Sequence, residues 1–194
     1  IEAVAAKIGA PVHLVGHSFG GTVALAAALN DRFDVLSITT FEANPLALIR
    51  ERGHFGMFKA TQHMSDAFER AYDDGERDAA GRIIDFWGGE GSFRALPDSV
   101  QEYCRATTYA NVLDWRTAFR FEAAMADYAR LEIPVLLVRG ELANSAMVEI
   151  TDALAGSLPD ARSAIVDGAS HFQISTHPGD CARLLSDFLD QTFS

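Results

Sequence analysis

Short apolar runs alternate along this chain with longer stretches of helical period. Residues 12–16, VHLVG, form an apolar run of strand length with β-branched content. Three more follow: FDVLSITTFE at 33–42, IPVLLVRGE at 133–141 and ARSAIVDGA at 161–169. Runs of this kind predict strands buried within a parallel sheet. Between the first two lies GGTVALAAALN at 20–30, rich in Ala and Leu, the best helix formers. Residues 1–9, IEAVAAKIG, read as the end of an amphipathic helix closed by Gly9. Residues 178–193, PGDCARLLSDFLDQTF, read as a closing amphipathic helix with Pro178 near its first turn. Strands alternating with helices predict the α/β class, with a mostly parallel sheet of about four strands.

The interval 45–132 breaks this alternation. It is helical in pattern and aromatic, with Phe58, Phe68, Trp87, Tyr103, Trp115 and Phe119 among its members. The expectation is a helical lid over one end of the sheet, most of these rings forming its own core. WGGEG at 87–91 is a predicted loop. The organisation read from the pattern is therefore core at 1–44, lid insertion at 45–132 and core again at 133–194.

Composition narrows the function. With 194 residues, 48% of them hydrophobic, the chain can bury a core. A net charge of −11 argues against a nucleic-acid partner, which would need a basic patch. The lysines and arginines are scattered, so no anionic membrane surface is indicated. Cys104 and Cys181 are far apart and in no metal or redox spacing. No metal or cofactor is expected, and free thiols point to a reducing, cytoplasmic setting. There is no membrane-length apolar run and no signal peptide. The chain begins at Ile1 rather than Met, in mid-helix, so any targeting signal upstream lies outside it.

Gly16-His17-Ser18-Phe19-Gly20 matches G-x-S-x-G. The motif serves a sharp, strained turn between strand and helix that exposes a serine hydroxyl at the strand's C-terminal end. The residues two before and two after must be tiny, because their Cβ atoms would collide; Gly21 adds room. Chance alone yields the pattern roughly once in fifteen chains of this length. Here it directly follows VHLV and directly precedes GTVALAAAL, the required context.

VHLVGHSFGGTVALAAAL resembles the nucleophile elbow of lid-containing α/β-hydrolases, and the resemblance extends through PVLLVRGE to GASHF before the final helix. It implies the C-terminal part of an α/β-hydrolase fold, with Ser18 as nucleophile and the order Ser, acid, His. His171, in a loop after the strand at 161–167, takes the base position at the same sheet end as Ser18. His13, His54, His63 and His177 read as structural or exposed, while His17, beside the nucleophile, is a candidate to line the pocket with its side chain pointing elsewhere. The acid stays open. Asn144 stands about where many relatives carry Asp, and an amide cannot stabilise imidazolium as a carboxylate does. Some relatives, haloalkane dehalogenases among them, carry the acid where this chain has Glu42. Glu42 is the favoured reading, Glu141 the second and a missing acid the third. The Phe19 N–H would be one oxyanion donor. The loop that supplies the other in relatives precedes Ile1.

The leading expectation is a serine hydrolase acting on a small or medium apolar ester, thioester, lactone or vinylogous ketone. Alternatives are a degenerate fold that binds a small molecule, and a cofactor-free lyase or peroxidase-like enzyme. Without upstream residues this chain should be nearly inactive. The uncovered edge of its first strand should drive aggregation or homo-oligomer formation. Equal esterase activity from this chain and from one extended upstream would contradict that expectation.

Overall fold

The computed structural model describes residues 1–193. Helix α1 (Glu2–Ile8) ends at Gly9, whose φ of 64° places it in the left-handed region that only glycine enters freely. Strand β1 (Val12–His17), helix α2 (Phe19–Leu29) and strand β2 (Val35–Phe41) follow. Then come six helices: α3 (Ala47–Glu51), α4 (Phe55–Asp73), α5 (Ala80–Gly88), α6 (Ser92–Ala95), α7 (Asp98–Arg120) and α8 (Met125–Tyr128). Strand β3 (Val135–Gly140), helix α9 (Ser145–Ser157), strand β4 (Ala161–Val166), helix α10 (Gln173–Thr176) and helix α11 (Pro178–Phe193) complete the chain.

The four strands are all parallel and lie in the order β1-β2-β3-β4. Leu14 stands opposite Ile38, Ile38 opposite Val135 and Val135 opposite Ala161, so one row runs across one face. That face meets Leu25 of α2 and Met147 and Ile150 of α9 in the main apolar cluster. The next row presents Leu136 and Val138 to the other face, where Cys181 and Phe188 of α11 cover them. β3 is thus buried on both sides, which is why it reads as the unbroken run VLLV. β1 and β4 are the outer strands, and Val15 and Ile165 remain 51% and 48% exposed. Phe68, Val112 and Trp115 of the helical segment between β2 and β3 belong to the same cluster as Leu25 and Ile38.

Two local features differ from the sequence reading. Helix α9 was not anticipated, although Asn144 before it and buried Met147, Ile150 and Leu154 carry a helix signature. The predicted loop at 87–91 begins later, since Trp87 and Gly88 finish α5 and the break comes at Gly89 (φ 98°) and Gly91 (φ 85°). Among the described residues no helix is long and apolar enough to cross a membrane.

The end of β3 is closely packed. A Cβ on Gly140 would lie 2.2 Å from the Ala169 carbonyl oxygen, a backbone atom that cannot rotate aside. Gly140→Ala should therefore cost about 3 kcal/mol, the upper end of ordinary overpacking, read as a lower urea midpoint. Gly156→Ala, where a Cβ meets nothing within 4 Å on a helix, should instead gain up to about 1 kcal/mol.

Candidate active site

Ser18 sits between the end of β1 and the first residue of α2, with φ 53° and ψ −125°. That conformation costs an L-residue about 1–3 kcal/mol and persists only where the surroundings impose it. Here the Ser18 N–H donates to the Phe41 carbonyl at 2.9 Å, and the Ser18 carbonyl accepts from the Gly21 N–H at 2.9 Å. Gly16 is essential to this turn: its Cβ would lie 2.4 Å from the Gly20 carbonyl oxygen. A Cβ on Gly21 would press on that of Ala43 at 2.9 Å. The expectation for Gly20 is corrected, because a Cβ there meets nothing within 4 Å. Its carbonyl, rather than its own Cα substituent, faces Gly16. The helix is then pinned by a buried pair: the Thr22 hydroxyl donates to Asn44 Oδ1 at 2.7 Å and accepts from the Asn44 N–H at 2.9 Å.

His171 lies in the loop between β4 and α10 and is 2% exposed. Its Nε2 is 3.1 Å from Ser18 Oγ, and its Nδ1 is 2.7 Å from Glu42 Oε2. A carboxylate only accepts, so Nδ1 carries the hydrogen and Nε2 offers its lone pair to the serine. Glu42 follows β2 directly, is 1% exposed and has φ 49°. Its other oxygen accepts from the Gly140 N–H at 2.8 Å and from Gln173 Nε2 at 3.4 Å. The side chains of Ser18, His171 and Glu42 thus form one continuous hydrogen-bonded row.

Neither alternative acid position joins it. Glu141 is exposed and accepts from the Gly168 N–H at 2.8 Å, bracing the turn that leads to His171. Asn144 caps α9: its Oδ1 accepts from the Ala146 N–H at 2.9 Å, while its Nδ2 donates to the Phe86 carbonyl at 3.0 Å. Its place in sequence reflects a helix start, and the bond to Phe86 uses an N–H donor that a carboxylate lacks. His17 lines the cavity, as the sequence suggested, but the expected direction of its side chain is corrected. Its ring faces that of His171 at 4.8 Å between centroids, and its Nε2–H donates to the His171 carbonyl at 2.8 Å. His13 bonds Ser37, His54 meets Glu149, His177 meets Thr176 and His63 is exposed.

The row opens on a cavity of about 620 Å³ whose wall includes Ile83, Trp87, Trp115 and Phe172. Trp87 and Trp115 stack at 5.7 Å, and Trp87 also flanks the His171 ring at 5.4 Å. Phe19 lines the cavity and opens α2, so its N–H has no intrahelical acceptor and sits at the positive end of the helix dipole. Asn44, Gln173, Asn111 and Asp114 were not singled out in the sequence. Their surroundings depend on long-range packing that no local pattern encodes.

Residues 1–184 match the alpha/beta hydrolase family. No curated protein sequence matches the chain. Among solved structures, MenH from S. aureus is similar with a TM-score of 0.73 and 16% identity, over 100% of this chain and 73% of that one. A putative non-heme bromoperoxidase, BpoC, from Mycobacterium tuberculosis H37Rv gives 0.69 and 17%, over 99% and 72% of the two chains. A thermophilic esterase from Thermogutta terrifontis gives 0.69 and 19%, over 97% and 68%.

Burial pushes the His17 pKa down from 6.5 to about 4, and the neighbouring His171 adds to the shift. Between these two values the unfolded chain takes up a proton that the folded chain refuses. Stability should therefore fall as pH drops from about 6.5 to about 4, by an order of 3 kcal/mol in total, with no contribution above that window. His17→Gln keeps an N–H donor but does not titrate. Urea midpoints measured across that range should decline less steeply in the variant than in the wild type.

Proposed function

Because the chain belongs to the alpha/beta hydrolase family, we propose that it is a serine hydrolase in which Ser18 is the nucleophile, His171 the general base and Glu42 the acid. The observation that carries this reading is the hydrogen-bonded row from Ser18 Oγ through the imidazole to a buried carboxylate. A serine hydroxyl is a weak nucleophile until a base removes its proton as it attacks. His171 Nε2 takes that proton and returns it to the leaving group. The positive charge that develops on the ring is stabilised by Glu42, whose carboxylate also holds the tautomer. The Phe19 N–H stabilises the oxyanion together with a second donor. Water then repeats the sequence on the acyl-enzyme, with His171 again as base.

The substrate is a small or medium ester-like molecule: an ester, thioester, lactone or vinylogous ketone bound between the rim of the sheet and the helical segment, which serves as a lid. A cavity of about 620 Å³ walled by Trp87, Trp115 and Ile83 suits such a ligand. The reading as a binding protein without turnover rested on Asn144, and the presence of Glu42 beside His171 removes that motive. The similar structures bear names as different as bromoperoxidase and esterase, so the reaction is argued from the site rather than from the fold.

A fluorophosphonate should label the wild-type chain and leave Ser18→Ala unlabelled. In a chain extended upstream of Ile1, Glu42→Gln should lower kcat by about 10³ to 10⁴, the scale for losing the carboxylate of a triad, whereas Glu141→Gln should change it by only about a few-fold. Labelling that persists in Ser18→Ala, or a Glu42→Gln enzyme close to wild type, would overturn the assignment.

A further inference from the structure

Helix α7 lends the cavity a stripe of polar side chains at helical spacing: Thr107, Thr108, Asn111 and Asp114. Two of these are already occupied. The Thr107 hydroxyl donates to the Tyr103 carbonyl at 2.9 Å and the Thr108 hydroxyl to the Cys104 carbonyl at 2.8 Å, each one turn earlier in the helix. Asn111 and Asp114 differ. Among the described residues their side chains have no hydrogen bond, ion pair or other polar partner. The next residue but one, Arg116, is committed to Glu69. No lysine or arginine lines the cavity, and its two histidines are His171, already bonded to Glu42, and His17. Burial with no compensating charge pushes the Asp114 carboxyl up from its ordinary value.

A carboxylate facing a ligand cavity in this state favours a particular visitor. It repels carboxylates and phosphates, and it offers its strongest contact to a group that donates hydrogen bonds and carries positive charge. Asn111, three residues earlier on the same face, adds an amide oxygen as a second acceptor. The cavity that these residues share with Ser18 is also lined by Ile83, Trp87 and Trp115, which suit a hydrocarbon spacer. We propose that Asp114 and Asn111 form the binding site for a protonated amine at the end of the substrate remote from the scissile carbonyl. The substrate is then an amino-terminated ester rather than a plain apolar one. This deepens the serine-hydrolase reading and rests on Ser18 being its nucleophile.

The test uses matched nitrophenyl esters over a graded series of acyl lengths, each ending in methyl, ammonium or carboxylate. At the best length the wild type should favour the ammonium ester over its methyl isostere by about tenfold to hundredfold in kcat/KM. Asp114→Asn should lose that preference, and Asp114→Lys should turn it toward the carboxylate ester. Equal preferences in all three chains would overturn the proposal. Fluorophosphonate labelling of the wild type reports on Ser18 separately. Should the chain neither label nor hydrolyse, calorimetry with an amino-terminated amide and its methyl isostere decides the matter. Tighter binding of the amine that vanishes in Asp114→Asn supports the site, and equal binding rejects it.

Discussion

A carboxylate taken out of water without partners costs several kcal/mol, and Glu42 is almost wholly buried. The rim of the sheet is organised around meeting that demand. The Gly140 N–H comes from the end of β3, and Gln173 and the His171 ring come from the segment after β4. One side chain at the end of β2 therefore ties together the two strands that follow it. Gly140 has no room for a Cβ because the His171 loop passes directly over it. Glu141 secures the same loop from outside by accepting from Gly168. The acid and the imidazole thus hold each other in place, and the loop backbone is cut to their separation.

The parallel sheet converts this local bonding into a site. All four strands point their C-terminal ends the same way, so Ser18, Glu42 and His171, each just beyond a strand, converge although they are distant in sequence. Ser18 and Glu42 both have positive φ and neither is glycine. Each is held by a backbone bond to the neighbouring strand: Ser18 to Phe41, and Glu42 to Val138. The strained turns sit where the sheet ladder can enforce them, and strain at those turns directs both side chains toward the imidazole.

The helical segment supplies what the sheet lacks. Trp87 flanks His171 and is itself backed by Trp115, and this seclusion of the ring strengthens each polar contact it makes. Asn144 links this segment to the core through the Phe86 carbonyl while capping α9. α7 adds the unpartnered Asn111 and Asp114, so the cavity combines apolar walls with a pair of acceptors. His17 also serves the rim, since its donated hydrogen bond fixes the His171 carbonyl.

The sequence alone was enough for features written in neighbouring residues. Apolar runs marked the strands, Ala and Leu marked α2, and Gly16 with Ser18 marked the turn, because steric limits and burial periods act over a few positions. His171 could be placed because parallel strands share one exit. The carboxylate that faces it was favoured as Glu42 but not fixed by local pattern. Glu42, Glu141 and Asn144 all stand just after strands, and the partner of His171 lies 129 residues away. Strand register and loop packing made that choice, turning Asn144 into a cap and Glu141 into a brace. The inward turn of His17, the freedom at Gly20 and the unpartnered state of Asp114 belong to the same class. Each is set by atoms that only tertiary packing brings near, and no local pattern of residues records which distant atoms those will be.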